Sequence, residues 1–383
     1  MDTGVFLYDG VMKSVLSAPR RTAQSKGTDF VRGTSAGKAR KDDVFDLLDK
    51  NFDRFDRNGD LRVTWPEMRK SVADPLIQGK DAAALATLYS LLPEVAFERG
   101  LKRNPAVTPE ILQELRDTRD FELEEGEESE AELYYQKYLG KLEDASTELF
   151  PQGLPDGMKV RQGYGPSCAI LATTVSQALI DPRVVKDAFS VRADGRVAVK
   201  FPGLPKAVTV APTTDTETAL FATAGKNGTW LNHIEKAWGT LQGSDPEAAF
   251  EKDSWPAKSI RAWSGGKATT SSVPEQYRQG GVPVFAQEMA SGLDQDRIVM
   301  SWTRNGDRAL EGLIPGHAHT VLAVDEKEGS VKLRNPWGHR EPLNAKGKPR
   351  DGKDDGVFEL SFAEYARDFG RFSLQTTAPT TRA

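Results

Sequence analysis

Apolar positions recur with two different periods along the chain, and the change of period marks its organisation. Residues 1–40 carry no sustained periodicity and are rich in Ser, Gly, Lys, Arg and Thr, so a flexible tail is expected there. From residue 41 to about 140 the period is helical. Val44, Leu47, Leu48, Phe52 and Phe55 fall on one stripe. An Ala/Leu-rich helix is predicted over residues 82–99. Another follows over 108–119, with Pro109 in its first turn and Glu110 close behind. Eight of the thirteen residues from 120 to 132 are acidic, which reads as a solvated linker or helix face, with a regulatory or metal-attracting segment as the alternative.

After residue 150 the texture changes. PQGLPDG (151–157) is a loop, and residues 169–179 are helical. Residues 189–201 alternate about Asp194-Gly195, a hairpin signal. Residues 230–241 are helical again, and strands are predicted over 282–286, 297–302, 319–324 and 331–334. There is no internal repeat. The expectation is a helical N-terminal region joined to a mixed α+β domain.

Composition narrows the function. Fifty-one Lys and Arg stand against 56 Asp and Glu, for a net charge of −5, without the basic excess of a general nucleic-acid binder. No run of about 18 apolar residues predicts a membrane span, and the N-terminus lacks a signal-peptide pattern. The expected location is the cytoplasm, or outside the cell by a route without a cleaved leader. The single cysteine excludes an intrachain disulfide framework and a CxxC pair. It leaves a buried small hydrophobe, an incidental thiol or a nucleophile.

Residues 56–67, DRNGDLRVTWPE, fit a twelve-residue EF-hand loop. Asp56, Asn58 and Asp60 fall at positions 1, 3 and 5, Arg62 at 7 offers its backbone carbonyl, and Glu67 at 12 offers a bidentate carboxylate. Calcium is the cofactor this donor set suggests, because six or seven hard oxygens must replace its water. Position 6 departs from the pattern. It should be Gly, since the loop turns there with a positive φ, and it is Leu61. No comparable acidic loop follows about 35 residues later. The bland alternative is an Asp-rich turn between two helices.

The cysteine sits in RQGYGPSCAILA, after Gly-rich chain and before a helix. That position favours thiolate, and Gln162 lies six residues upstream with an amide able to donate to an oxyanion. Taken alone this is weak evidence. Downstream come GHAHTV and RNPWG, so that His317 follows Cys168 by 149 residues and Asn335 follows His317 by 18. A nucleophilic thiol needs a base, and the base needs a carboxamide or carboxylate to fix its tautomer. The order and separations suit a papain-like arrangement.

With these blocks the chain resembles the calpain-like branch of the papain-fold cysteine proteases over roughly residues 150–375. QGYGPSC resembles Gln-Gly-x-x-Gly-Asp-Cys-Trp, TWLNHIEKAWGTLQG the Trp-x-x-x-x-Glu-Lys-Ala-Tyr helix, and GLIPGHAHTV the Gly-Leu-x-x-Gly-His-Ala-Tyr-Ser-Val block. VKLRNPWG resembles Arg-Asn-Pro-Trp-Gly, and DDGVFELSFAEYARDFGRFSL the closing strand and Ser-Phe-x-x-Phe segment. The resemblance implies Cys168 as nucleophile, His317 as base and then acid, and Asn335 as its orienter. It implies an oxyanion hole from Gln162 and the Cys168 N–H. Gly165 and Gly316 line the cleft, and Trp337 shields the His–Asn bond. Ser167 and Ala169 stand where the family has Asp and Trp, and His319 replaces an aromatic, which makes it the fallback base. His233 and His339 are expected to be packing or surface residues. The acidic ligands of the calcium sites inside animal calpain cores find no match, and the short architecture resembles calpain-like proteases of bacteria.

The resulting expectation is an α+β, papain-like two-subdomain core at residues 151–376. Before it come a tail (1–40) and a helical region (41–150) with the EF-hand-like loop, acting as regulator or prosegment; after it comes a short tail (377–383). The activity implied is that of a cysteine endopeptidase acting on proteins or peptides, its own N-terminal region included. Arg20-Arg21 and residues 38–41 mark the self-cleavage region, and calcium is the regulator. A transglutaminase-type acyltransferase and a calcium-binding pseudoprotease are the alternatives.

Overall fold

The computed structural model describes residues 41–98, 105–117, 128–243, 256–274, 281–306 and 310–377. The expected tail at 1–40, most of the acidic run and all but Thr377 of the C-terminal tail lie outside the described residues. The fold is α+β. Its helices are α1 (Lys41–Phe55), α2 (Trp65–Val72), α3 (Gly79–Glu98), α4 (Pro109–Asp117), α5 (Glu130–Glu143), α6 (Cys168–Ile180), α7 (Pro182–Asp187), α8 (Asp215–Leu220), α9 (Trp230–Leu241), α10 (Pro256–Ser264), α11 (Val284–Leu293) and α12 (Phe362–Asp368). Strands β1 (Phe189–Val191), β2 (Val197–Val199) and β3 (Val208–Val210) form a small antiparallel sheet. Strands β4 (Ala268–Ser272), β5 (Val299–Thr303), β6 (Ala318–Asp325), β7 (Ser330–Arg334), β8 (Val357–Ser361) and β9 (Phe369–Gln375) form a six-stranded antiparallel sheet in the order β4-β9-β5-β6-β7-β8.

Three hydrophobic cores hold these elements. The first gathers the predicted stripe of α1 (Val44, Leu48, Phe52 and Phe55) with α3, α4 and α5, and it also takes in Ala219, Leu220 and Phe221 from beyond residue 150. The second surrounds α6, which is buried from Cys168 to Ala178 and predominantly apolar, its Thr173 and Thr174 hydroxyls turned back onto the helix's own carbonyls. The rings of Trp238 and Trp263 both pack edge-on against Phe201 beside it. The third core lies between the large sheet and helices α11 and α12, with Phe285, Tyr365 and Phe369 stacked in it. Strand β6 is seated on α6, where the Thr320 hydroxyl donates to the Ala172 carbonyl at 2.8 Å. That contact joins the helical lobe to the sheet lobe. No helix among the described residues is long and apolar enough to cross a membrane.

The run at 282–286 is a correction. It reads as a strand, but Pro283 caps a helix that begins at Val284 and buries Phe285, Ala286, Met289 and Gly292, a helical spacing. A short apolar run cannot distinguish the two states without its downstream partners. Helix α10 and the Ser/Thr-rich β4 carry no strong pattern, and the edge strand is recruited by β9 through five residue pairs.

The loop at 56–67 adopts the turn its ligand spacing implies. Leu61 has φ +59°, the left-handed conformation that position 6 demands and that a β-carbon disfavours. Val63, at position 8, pairs antiparallel with Val107, N–H to carbonyl both ways at 2.8 and 2.9 Å. Val107 leads into α4 as Val63 leads into α2, each across a Thr. A second helix–loop–helix unit therefore does back the first. Its connecting residues 99–104 lie outside the described residues, and their Arg-Gly-Leu-Lys-Arg-Asn sequence carries no acidic signal to read.

Leu61 is 60% exposed, so little packing is lost on truncating it. Leu61→Gly is expected to raise the unfolding free energy by about 0.5–1 kcal/mol, the left-handed strain relieved less the extra freedom of Gly in the unfolded chain. Urea denaturation of the two proteins measures this, and an unchanged or lower midpoint would contradict it.

Candidate active site

Cys168 opens α6 and is buried, with the first-turn amides of the helix beneath it. The positive end of the helix favours a thiolate there. Its loop is tied on one side to the chain around Thr223: the Arg161 N–H donates to the Thr223 carbonyl at 2.9 Å, and the Thr223 N–H returns the bond at 2.8 Å. On the other side the Gln162 N–H donates to the Pro336 carbonyl at 2.9 Å, which sets the Gln162 loop directly against Asn335-Pro336-Trp337. The Gln162 side-chain amide donates to the carbonyl of buried Gly165 at 2.7 Å.

His317 stands one residue ahead of β6. Gly316, at φ +62°, makes the turn into it, and a β-carbon there would meet Asn305 Oδ1 at 2.8 Å. Thr303 clamps the imidazole's backbone: the His317 N–H donates to its hydroxyl at 2.8 Å, and the Thr303 N–H donates to the His317 carbonyl at 3.0 Å.

Asn335 is held at both ends of its amide. Nδ2 donates to the carbonyls of His339 and Arg340, both at 3.0 Å, and Oδ1 accepts the Trp337 N–H at 3.0 Å. Reversing the amide would turn an NH2 onto a donor and an oxygen onto two acceptors. Oδ1 therefore faces His317 Nε2 at 2.8 Å, so Nε2 carries the proton and Nδ1 keeps its lone pair. The Trp337 ring lies edge-on to His317, centroids 5.1 Å apart. Burial pushes the His317 pKa down to about 4, with Asn335 pulling the other way, so the ring is neutral at neutral pH. A helix-terminal thiol, an imidazole with one nitrogen fixed and the other open, and an adjacent carboxamide are the parts that nucleophilic acyl transfer requires.

Residues 144–354, more than half of the chain, match the family of calpain family cysteine proteases. The chain belongs to the calpain family of cysteine proteases. It is also similar to calpain-8 of Mus musculus, 30% identical over 88 residues, a match covering 18% of this chain and 12% of that protein. The aligned part is thus a small fraction of that relative's length.

Several residues of this calpain-family site carry no role in the sequence reading. Arg334 is fully buried at the end of β7 and donates to the carbonyls of Val160 at 2.7 Å and Met158 at 3.0 Å, a second tie between the Asn335 strand and the Gln162 loop. A charged residue closing an apolar strand is the signal that marks it. Glu235 of α9 ties to the residue before Cys168: the Ser167 hydroxyl donates to one carboxylate oxygen and the Ala222 N–H to the other at 2.8 Å. Ser167, the residue that differs from the family's Asp, thus ties the cap of α6 to α9.

The other histidines are placed by packing. The His319 ring lies among Phe358 and Phe369, as the aromatic it replaces would. His233 is buried with Nδ1 on the Thr229 carbonyl at 2.8 Å, and His339 is exposed beside Trp337.

The 56–67 loop has the donor types for calcium, but it keeps them engaged with one another. Asp56 accepts the N–H groups of Gly59, Asp60 and Leu61, Asn58 donates to Asp60, and Glu67 accepts from Arg57 and from the Thr64 N–H and hydroxyl. Burial pushes Glu67 up, yet these bonds outweigh it and leave its pKa below the ordinary value. Among the described residues no three acidic, His or Cys side chains gather as a metal site requires. The residue types fit the ion, and in this structure they are engaged with one another; no catalytic step is derived through calcium.

Burial raises the Glu235 pKa from 4.5 to about 7, against the hydrogen bonds of Ser167 and Ala222 and the charge of Lys141. A raised folded-state value means that its contribution is fully present below 4.5 and is lost as pH rises through 7. Glu235→Gln removes this titration. Relative to the unaltered protein, its stability is expected to improve by about 1–3 kcal/mol between roughly pH 5 and pH 8. Urea denaturation at both pH values reads the slope, and a pH-independent difference would contradict it.

Proposed function

We propose that the protein is a cysteine endopeptidase that hydrolyses peptide bonds through Cys168, His317 and Asn335. The observation that carries this reading is the Asn335 amide, whose backbone partners leave His317 Nδ1 as the basic nitrogen. Nδ1 takes the Sγ proton of Cys168 as the thiolate attacks the scissile carbonyl carbon. The imidazolium so formed is stabilised by the adjacent thiolate and by Asn335, which offsets the burial that otherwise keeps the ring neutral. The carbonyl oxygen, now negative, accepts the Cys168 N–H and a Gln162 side-chain N–H, once that amide turns from Gly165. His317 returns the proton to the leaving amine, and the acyl-enzyme forms as the C–N bond breaks. Water, deprotonated by His317, then releases the acid. Gly165, Gly316 and Trp337 line the cleft that admits an extended peptide.

Two regulatory elements belong to the same reading. The tail at 1–40, with Arg20-Arg21 and the basic residues at 38–41, is the proposed self-cleavage region, on its sequence alone. Calcium binding by Asp56, Asn58, Asp60, the Arg62 carbonyl and Glu67 is proposed as the switch. The positive φ of Leu61 and the Val63–Val107 pairing support it, and it requires Glu67 to leave Thr64.

Hydrolysis of casein or a fluorogenic peptide should vanish in Cys168→Ala and fall about 10²- to 10³-fold in Gln162→Ala. New N-termini, rather than incorporated amines, distinguish a peptidase from an acyltransferase, and full cleavage by Cys168→Ala would exclude the mechanism. Calcium should raise the rate and bind calorimetrically, and Asp56→Ala with Glu67→Ala should abolish both. Indifference to calcium and EGTA alike would remove the switch and leave the peptidase standing.

A further inference from the structure

The loop from Arg161 to Cys168 does not rest on the protease lobe alone. The Tyr164 ring turns away from the core around α6 and packs into the first core, edge-on to Tyr89 of α3, with centroids 5.2 Å apart. Tyr89 is itself buried, with its ring 4.6 Å from Trp65, the residue that opens α2 out of the 56–67 loop, and 6.4 Å from Phe221. The backbone follows the ring. The Tyr164 N–H donates to the Leu220 carbonyl at 2.8 Å. Gly163 lies so close to this segment that a β-carbon would sit 2.2 Å from the Leu220 oxygen and 2.3 Å from that of Phe221. The segment is in turn gripped from the N-terminal helices, where Lys141 of α5 donates to the Phe221 carbonyl at 2.7 Å. Gln162 and Gly165, joined by the side-chain bond described above, flank Tyr164 on either side.

We propose that Tyr89 is a positioning residue for peptide hydrolysis: through the Tyr164 ring it holds the loop carrying Gln162 and Cys168 in the geometry that receives the oxyanion. The proposal rests on the peptidase reading above. It makes the N-terminal helical region a working part of the active site, to be retained in the mature enzyme, rather than a prosegment to be discarded. Tyr89 touches neither substrate nor nucleophile and acts only through Tyr164. Its contribution is geometric, and small displacements of a reacting group reduce turnover steeply.

The test separates oxyanion binding from thiol chemistry. Peptide hydrolysis needs both, whereas alkylation of Cys168 by iodoacetamide needs only the thiolate. Tyr89→Leu keeps apolar bulk and removes the ring. It should lower kcat about tenfold or more with KM little changed, and leave the alkylation rate within about twofold. Tyr89→Phe, which restores the ring, should recover kcat. The double variant Tyr89→Leu with Gln162→Ala should be no slower than Gln162→Ala alone, because both remove the same interaction. Wild-type turnover in Tyr89→Leu, hydrolysis and alkylation falling in step, or fully additive losses in the double variant would each overturn the proposal. Hydrolysis surviving in Cys168→Ala would instead overturn the peptidase reading itself and this proposal with it.

Discussion

Everything in the candidate site depends on one docking event, the seating of the sheet lobe on a helix that is buried throughout. Helix Cys168–Ile180 is largely apolar and buried from Cys168 to Ala178, and strand Ala318–Asp325 packs against its N-terminal half. The Thr320 bond to Ala172 sets how far along the helix the strand lies. Cys168 begins that helix and His317 immediately precedes that strand. The same contact that closes the hydrophobic core therefore fixes the positions of the two elements that carry these residues. Burial of apolar surface, at about 25 cal/mol per Å², drives the docking, and the single hydroxyl bond selects its register.

Docking also creates a problem of desolvation that the polar residues answer. A buried imidazole is driven towards its neutral form, and a buried carboxylate towards its protonated one. At these residues the chain answers chiefly with hydrogen bonds to backbone groups. Asn335 is oriented by two carbonyls and one N–H, Arg334 is spread over the carbonyls of Met158 and Val160, and Glu235 accepts a hydroxyl and an N–H. Backbone partners cannot rotate away, so each of these side chains has one position, and the loops that supply the carbonyls are locked by the side chains they receive. The N-terminal helices enter by the same logic. Their aromatic residues pack against Tyr164, so the loop before Cys168 is held by the N-terminal helices as well as by the lobe that contains it.

Legibility followed the range of the interactions involved. The helix at 41–55, the hairpin at Asp194-Gly195 and strands β5 to β7 were readable because their apolar spacing is local. Residues 282–286 read as a strand because the run is short and mostly apolar, and only Met289 and Gly292 beyond it give the helical period. The partner of the 56–67 loop was invisible because its loop has none of the acidic residues by which such units are recognised, while the Val63–Val107 bridge uses backbone atoms alone. At the candidate site, Cys168, His317, Asn335 and Gln162 are named by their match to family blocks. Glu235 and Arg334 lay inside quoted blocks with no role, since nothing local says which carbonyls or hydroxyls they will meet.

The sequence by itself determined the reagents: one thiol at a helix start, a histidine and an asparagine in the right order, and glycines where the backbone must turn. Those are properties of residue type and spacing, which a linear string carries in full. Tertiary structure alone decided the tautomer of His317, the confinement of His319 among Phe358 and Phe369, and the contact of Tyr164 with Tyr89. Each of these depends on groups 18 to 75 residues apart in the chain meeting across a closed core, and hydrogen-bond direction and ring packing exist only once that core has closed.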